Sequence, residues 1–176
     1  MKKMKLLFAA ASLAFVITSC DKDNDETNNV GTEPSNPTDV NFALQASNSN
    51  TMEIVAGRLA ASMATNTGVR SFAQMMVTDH TTAQAQLQAA AGNARLPISY
   101  DSTAAIAARN MLMQYSGRAF DSVYITMQVA GHTQTLNLLQ TEVAGGAAPS
   151  LKGYAAAQIP VVTHHLHMAD SLRRTL

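Results

Sequence analysis

The sequence predicts an all-α protein, an up-and-down bundle of four long helices with one extra short helix in its longer crossover. Three observations carry that expectation. From Asp39 onward the chain is rich in Ala, Leu, Met, Val and Gln, which favour helix, and poor in proline. Capping residues and breakers recur at intervals that suit long helices. Apolar side chains repeat at helical spacing rather than alternating as in a strand. Roughly 135 residues are ample for one hydrophobic core.

The first nineteen residues read as a processing signal. Lys2, Lys3 and Lys5 are followed by an apolar run from Leu6 to Ile17, and Thr18 and Ser19 precede Cys20. The run is too short for a permanent membrane-spanning helix, which favours a cleaved signal. Ile17-Thr18-Ser19-Cys20 resembles the lipobox of bacterial lipoproteins, in which the cysteine takes a diacylglycerol and becomes the new N-terminus. Leucine is commoner than isoleucine at the first of these positions. A plain secretory signal would end in small residues too, but would not need the cysteine. The expected partner is therefore a membrane, through lipid on Cys20, and the expected location is the outer membrane, facing the periplasm or the cell surface.

Cys20 is the only cysteine, so an intrachain disulfide, a zinc finger and a cysteine protease are all ruled out. Removing the signal leaves nine basic against twelve acidic residues, a net charge of −3 with histidines neutral. No basic stripe is present, and nucleic-acid binding is not supported. Asp21, Asp23, Asp25 and Glu26 crowd behind the cysteine, as in a solvated tether or in the acidic signals that send some lipoproteins to the surface. Residues 20–38, rich in Asp, Asn, Thr, Pro and Gly, read as an anchored flexible linker. The domain proper is expected over 39–176.

Within it the first helix is expected over about 40–65, capped by Thr38 or Asp39, and the second over about 68–92, closed by Gly92-Asn93. An extended stretch through Leu96-Pro97 leads to a short helix, from Asp101 or Ser102 to about Tyr115. A long helix follows over about 118–144, ended by Gly145-Gly146, and the last runs from Pro149 or Ser150 almost to the C-terminus. Pro160 interrupts this last helix, where it should free the carbonyl of Ala156 and introduce a kink.

Heptad seams run along the four long helices. The first carries Phe42, Ala46, Ser49, Glu53, Ala56, Ala60 and Met63. The second carries Val69, Ala73, Met76, His80, Ala83, Leu87 and Ala90. Ile125, Val129, His132, Leu136, Leu139 and Val143 follow on the next long helix, and Leu151, Ala155, Gln158, Val162, His165, Ala169 and Leu172 on the last. Each seam is apolar or small, and each is broken near its middle by one ionisable residue.

Those four residues, Glu53, His80, His132 and His165, would lie at one level in an antiparallel bundle. One carboxylate and three imidazoles facing the axis form a set that suits zinc, copper, iron or nickel. The same residues could equally form a buried polar network, the glutamate pairing a protonated histidine. Asp79, Asp121, Tyr124 and Gln128 are candidates to support the four from behind. Asp79 could orient a neighbouring imidazole or simply pair with a base such as Arg70. His164 and His167 fall on another face and read as exposed histidines. Met76 and Met168 flank the set at helical spacing, where core filling explains them.

Several segments together resemble a known family. Ser71-Phe72-Ala73-Gln74-Met75-Met76-Val77-Thr78-Asp79-His80, Phe120-Asp121-Ser122-Val123-Tyr124, Gln128-Val129-Ala130-Gly131-His132, and Ile159-Pro160 followed by His165-Leu166 are similar to the domain-of-unknown-function family 4142. Its members are often labelled outer-membrane proteins and grouped with ferritin-like bundles. The resemblance spans about residues 40–173. The family often carries an acidic residue where this chain has Gly131 and His164. It implies a ferritin-like four-helix bundle, but not iron oxidation. Ferritin-like di-iron sites take Glu from two helices and Glu-x-x-His from the other two. Here Glu53 is the one inward carboxylate, and no Glu-x-x-His occurs.

Two functions remain open from the residues. One is a non-catalytic metal-binding envelope lipoprotein with a mononuclear site in the bundle core. The other is a structural or interaction module that binds an unidentified envelope partner, its histidines being core polar groups. Hydrolase motifs such as Gly-x-Ser-x-Gly and His-Glu-x-x-His are absent, which places catalysis last.

Overall fold

The computed structural model describes residues 33–98 and 101–176. The signal segment, Cys20 and the tether up to residue 32 lie outside the described residues. Among the described residues there are five helices: α1 (Pro37–Met63), α2 (Thr67–Asn93), α3 (Thr103–Leu112), α4 (Gly117–Gly145) and α5 (Pro149–Arg173).

Local chemistry accounts for their ends. Asn36, rather than Thr38 or Asp39, caps α1. Its side chain accepts from the amides of Thr38 and Asp39, and the Asp39 carboxylate accepts from the amide of Asn36 in return. Pro37 fits the first helical position because it has no amide to satisfy. Asn66 opens α2 in the same way, accepting from Gly68 and Val69. After α2 the left-handed residue is Arg95, with φ 52°, rather than Gly92 or Asn93. The amide of Leu96 then returns to the carbonyl of Ala91, satisfying one terminal acceptor. α5 continues through Pro160 as one helix.

The four long helices form a ring in which α1 lies between α2 and α4, and α5 lies opposite, also between α2 and α4. α3 leans on α1. Bonds between helix ends show that neighbours in the ring are antiparallel. Asn36, at the start of α1, donates to the carbonyl of Gly145 at the end of α4. Ser150, at the start of α5, donates to Ala90 near the end of α2. Glu33 donates its amide to the carbonyl of Asn93 and accepts from the amide of Ser150. The docked chain therefore begins before residue 38, where the sequence had placed the end of the linker.

The core falls into two apolar halves. One gathers Phe42, Leu87, Leu139, Leu151, Tyr154 and Val162; the other gathers Val69, Phe72, Met76, Phe120, Tyr124 and Ile125. Each fully buried side chain of this size contributes about 1.5–3 kcal/mol. Between the halves, at mid-height on every long helix, lies a slab of buried polar residues: Asn50, Glu53, His80, Gln84, Gln128, His132 and His165. Burying such groups costs stability unless partners satisfy them, and that requirement makes the slab the place to look for chemistry.

Candidate metal centre

His80 from α2, His132 from α4 and His165 from α5 meet on the bundle axis. Their ring centroids are 5.6, 5.6 and 5.4 Å apart, almost an equilateral triangle. All three are at least 96% buried. One nitrogen from each can be chosen so that the three lie within 4.8 Å of one another.

Each ring is held from outside by an acceptor. His80 Nδ1 lies 2.9 Å from Asn50 Oδ1. The Asn50 amide is itself oriented, because its nitrogen donates to Gln84 Oε1 and to the Tyr154 hydroxyl. The Gln84 nitrogen donates in turn to Ser47 Oγ. His132 Nδ1 lies 2.9 Å from the carbonyl oxygen of Gln128, one turn back on the same helix. His165 Nε2 lies 2.9 Å from Asp79 Oδ2. A carbonyl, an amide oxygen and a carboxylate can only accept, so these ring nitrogens carry the hydrogens.

The tautomers that follow leave His80 Nε2, His132 Nε2 and His165 Nδ1 as the inner nitrogens. All three are fully buried without a protein hydrogen-bond partner. Burial holds His80 well below its ordinary range, and the other two histidines push the same way. Burial lowers His165 as well, with the Asp79 carboxylate pulling against it. Neutral imidazoles with inward lone pairs are the form in which histidine binds metal.

Glu53 reaches the same level but a different position. Its Oε1 lies 3.8 Å from His132 Nδ1, the outer nitrogen of that ring, and it does not join the group of three that can share an ion. Burial raises its carboxyl above the ordinary value, while His132 and the Gln128 side chain oppose that shift. The second oxygen, Oε2, is buried without a partner.

The supporting candidates also separate. Asp79 sits behind His165, and Gln128 behind His132 through its main chain. Tyr124 is fully buried with an unpartnered hydroxyl, packed against Phe72 and Phe120. Burial, followed by the nearby Glu53 charge, holds its hydroxyl well above the ordinary range. Asp121 is elsewhere: it accepts from the amides of Thr65 and Asn66 and the Thr65 hydroxyl, tying the α1–α2 turn to α4. His164 and His167 are exposed. Reading the sequence missed Asn50, Gln84 and Ser47. The signal available was slight: Ser47 and Asn50 lie three apart on α1, and Gln84 follows His80 by one turn on α2.

A family model described as "Domain of unknown function (DUF4142)" matches residues 25–172. No curated protein matches the chain. Among solved structures, a DUF305 fragment from Deinococcus radiodurans is similar in fold, with a TM-score of 0.70 at 12% identity, covering 81% of this chain and 99% of that one.

Proposed function

The chain belongs to the family of unknown function DUF4142, and we propose that this member is a non-catalytic metal-binding envelope lipoprotein whose His80, His132 and His165 hold one transition-metal ion. A single observation carries the reading. Three buried inner nitrogens converge without partners, while each outer nitrogen is anchored by an acceptor. That is how proteins orient metal-binding imidazoles. A water molecule in the middle has only two hydrogens to give to three lone pairs, whereas a cation satisfies all three.

The donor set favours the zinc and copper end of the first-row series, where imidazole binds well. Asp79 and Glu53 supply two carboxylates around the triad, which suits a divalent ion. A point within about 2.8 Å of all three nitrogens exists for the separation observed, against about 2.0–2.1 Å for a zinc–nitrogen bond. The rings would close by well under an ångström on loading. A cavity of about 10 Å³ lined by Asn50, His80, Thr135 and Tyr154 lies beside the site. It has room for about one water beside His80 and none for an organic substrate. Storage or sensing of the ion fits such a site better than catalysis. We read the antiparallel ring with its long α2–α4 crossover as ferritin-like, with imidazoles in place of bridging carboxylates. The domain would be held at the membrane by lipid on Cys20.

The test is metal content by mass spectrometry on the untagged protein, followed by titration with zinc, copper and iron beside a His80→Ala, His132→Ala double variant. About one metal per chain, lost in the variant, is expected. Metal at background level in both, with the variant merely less stable, would make the histidines a core polar network and turn attention to surface partners.

A further inference from the structure

Resting on the three-histidine reading, we propose that the cleft between α1 and α4 is the ion's path from solvent and that Glu53 is its transit ligand. The histidines are nearly closed off, so an ion must cross the wall of helices somewhere. A cleft of about 230 Å³ opens between α1 and α4, lined by Gln45, Asn48, Ser49, Glu53, Gly131 and Thr135 among others. Its walls offer amide and hydroxyl oxygens, ligands that a partly hydrated divalent ion can exchange for water.

At its inner end stands Glu53, 5% exposed, with one carboxylate oxygen 3.8 Å from His132 Nδ1 and the other buried and unpartnered. A buried carboxylate oxygen without a protein donor needs a partner, and a passing cation would supply one. Gly131 leaves that carboxylate its room, since a Cβ there would stand 3.3 Å from Oε1. The cleft and the small cavity beside His80 share Thr135 as a wall. Thr135 Oγ1 meets Ser49 Oγ, another residue of the cleft wall, at 3.0 Å. Parting that hydroxyl pair would join the cleft, which Glu53 lines, to the cavity, which reaches His80.

A second depression, between α2 and α5, is lined by Asp79. There the carboxylate is already engaged with His165 Nε2. It positions a ring, and the Asp79 side chain is 38% exposed rather than buried like that of Glu53.

Stopped-flow uptake of zinc by the apo full-length protein, and release to an excess of chelator, would be compared with equilibrium affinity. Asn48→Phe, which plugs the cleft without touching a histidine, should slow uptake and release together and leave Kd unchanged. Glu53→Gln should slow uptake roughly tenfold or more without accelerating release. If Glu53 merely balances charge, Glu53→Gln will speed release and leave uptake as it was, and the proposal falls. Unchanged rates in both variants would overturn it as well, placing the path elsewhere. A wild-type protein that binds no zinc at all would instead sink the three-histidine reading on which it stands.

Discussion

Three chemically different acceptors hold the three imidazoles, and the difference decides what a substitution can reveal. The partner of His132 is a main-chain carbonyl, which no side-chain change at Gln128 removes. That of His80 is Asn50, the end of a relay through Gln84 to Ser47, so cutting it disturbs three buried groups. Only His165 depends on a partly exposed side chain, Asp79. Asp79→Ala is therefore expected to lower metal affinity about 10–100-fold while leaving the helical signal intact, read by competition with a chromophoric chelator. An affinity equal to wild type would make Asp79 a solvated ion-pair partner and nothing more. The histidines were legible in the sequence because each interrupts an apolar seam at mid-helix. Asn50 was not, because the run from Ser47 to Thr51 is polar throughout and a strict heptad selects Ser49. Side-chain direction, which the sequence does not carry, turned Glu53 to the outside of His132 and sent Asp121 to a helix turn.

At the scale of the elements, the junction of α1, α4 and α5 carries a second buried carboxyl pair. Asp39 accepts from the amides of Asn36, Ala147 and Ala148. Burial pushes its carboxyl up, but those amides, with the adjacent Glu142 carboxyl, outweigh it and the net direction is down. Glu142 is fully buried, and burial, with the adjacent Asp39 as hydrogen-bond partner and charge, raises its carboxyl to about 7 against an opposing Lys152. Both Glu142 carboxyl oxygens are buried without a hydrogen-bond partner in this geometry. A protonated Glu142 would turn its proton toward the adjacent ionised Asp39, and Gly146 is required beside it because a Cβ there would collide with the Glu142 carboxyl. A raised acid stabilises the fold fully below its unfolded value of 4.5 and loses that contribution as pH rises through about 7. His80 and His165, both lowered, act in the opposite sense, losing stability as pH falls below their ordinary 6.5. The clean measurement is thus a difference. Glu142→Gln, which keeps a donor toward Asp39, should gain thermal stability over wild type at pH 8 and little at pH 5. A gap between the two melting curves that does not vary with pH would refute the shared proton. Gly145-Gly146 was read as a helix stop; its second role was illegible because nothing in the sequence says which buried acid lies against it.

For the molecule as a whole, the arrangement of helices followed from their order. Short turns at 64–66 and 146–148 oblige α1 with α2, and α4 with α5, to run antiparallel. The longer α2–α4 connection lets α4 run beside α1 rather than α2, which is what brings Glu53 and His132 to one seam. Burial of the seam positions Val69, Ala73, Met76, His80, Ala83, Leu87 and Ala90 on α2 follows the spacing read from the sequence. Met63 departs from its seam and is exposed, because a straight helix drifts from a seven-residue repeat by about 20° per heptad. The proposal that this bundle is attached to a membrane rests on Ile17-Thr18-Ser19-Cys20 and on the short apolar run before it. Among the described residues no helix is long and apolar enough to cross a membrane. If Cys20 carries lipid, the protein expressed in a bacterial host should partition into the detergent phase of a temperature-split extract and incorporate a labelled fatty acid. Cys20→Ser should do neither, because a hydroxyl cannot form the thioether. One acyl chain binds a membrane only marginally, whereas the two or three expected here hold it stably, so partitioning should be complete rather than partial. Recovery of the wild type in the aqueous phase, cut after a small residue and unlabelled, would make the chain a plain secreted domain and leave the metal site to act in solution.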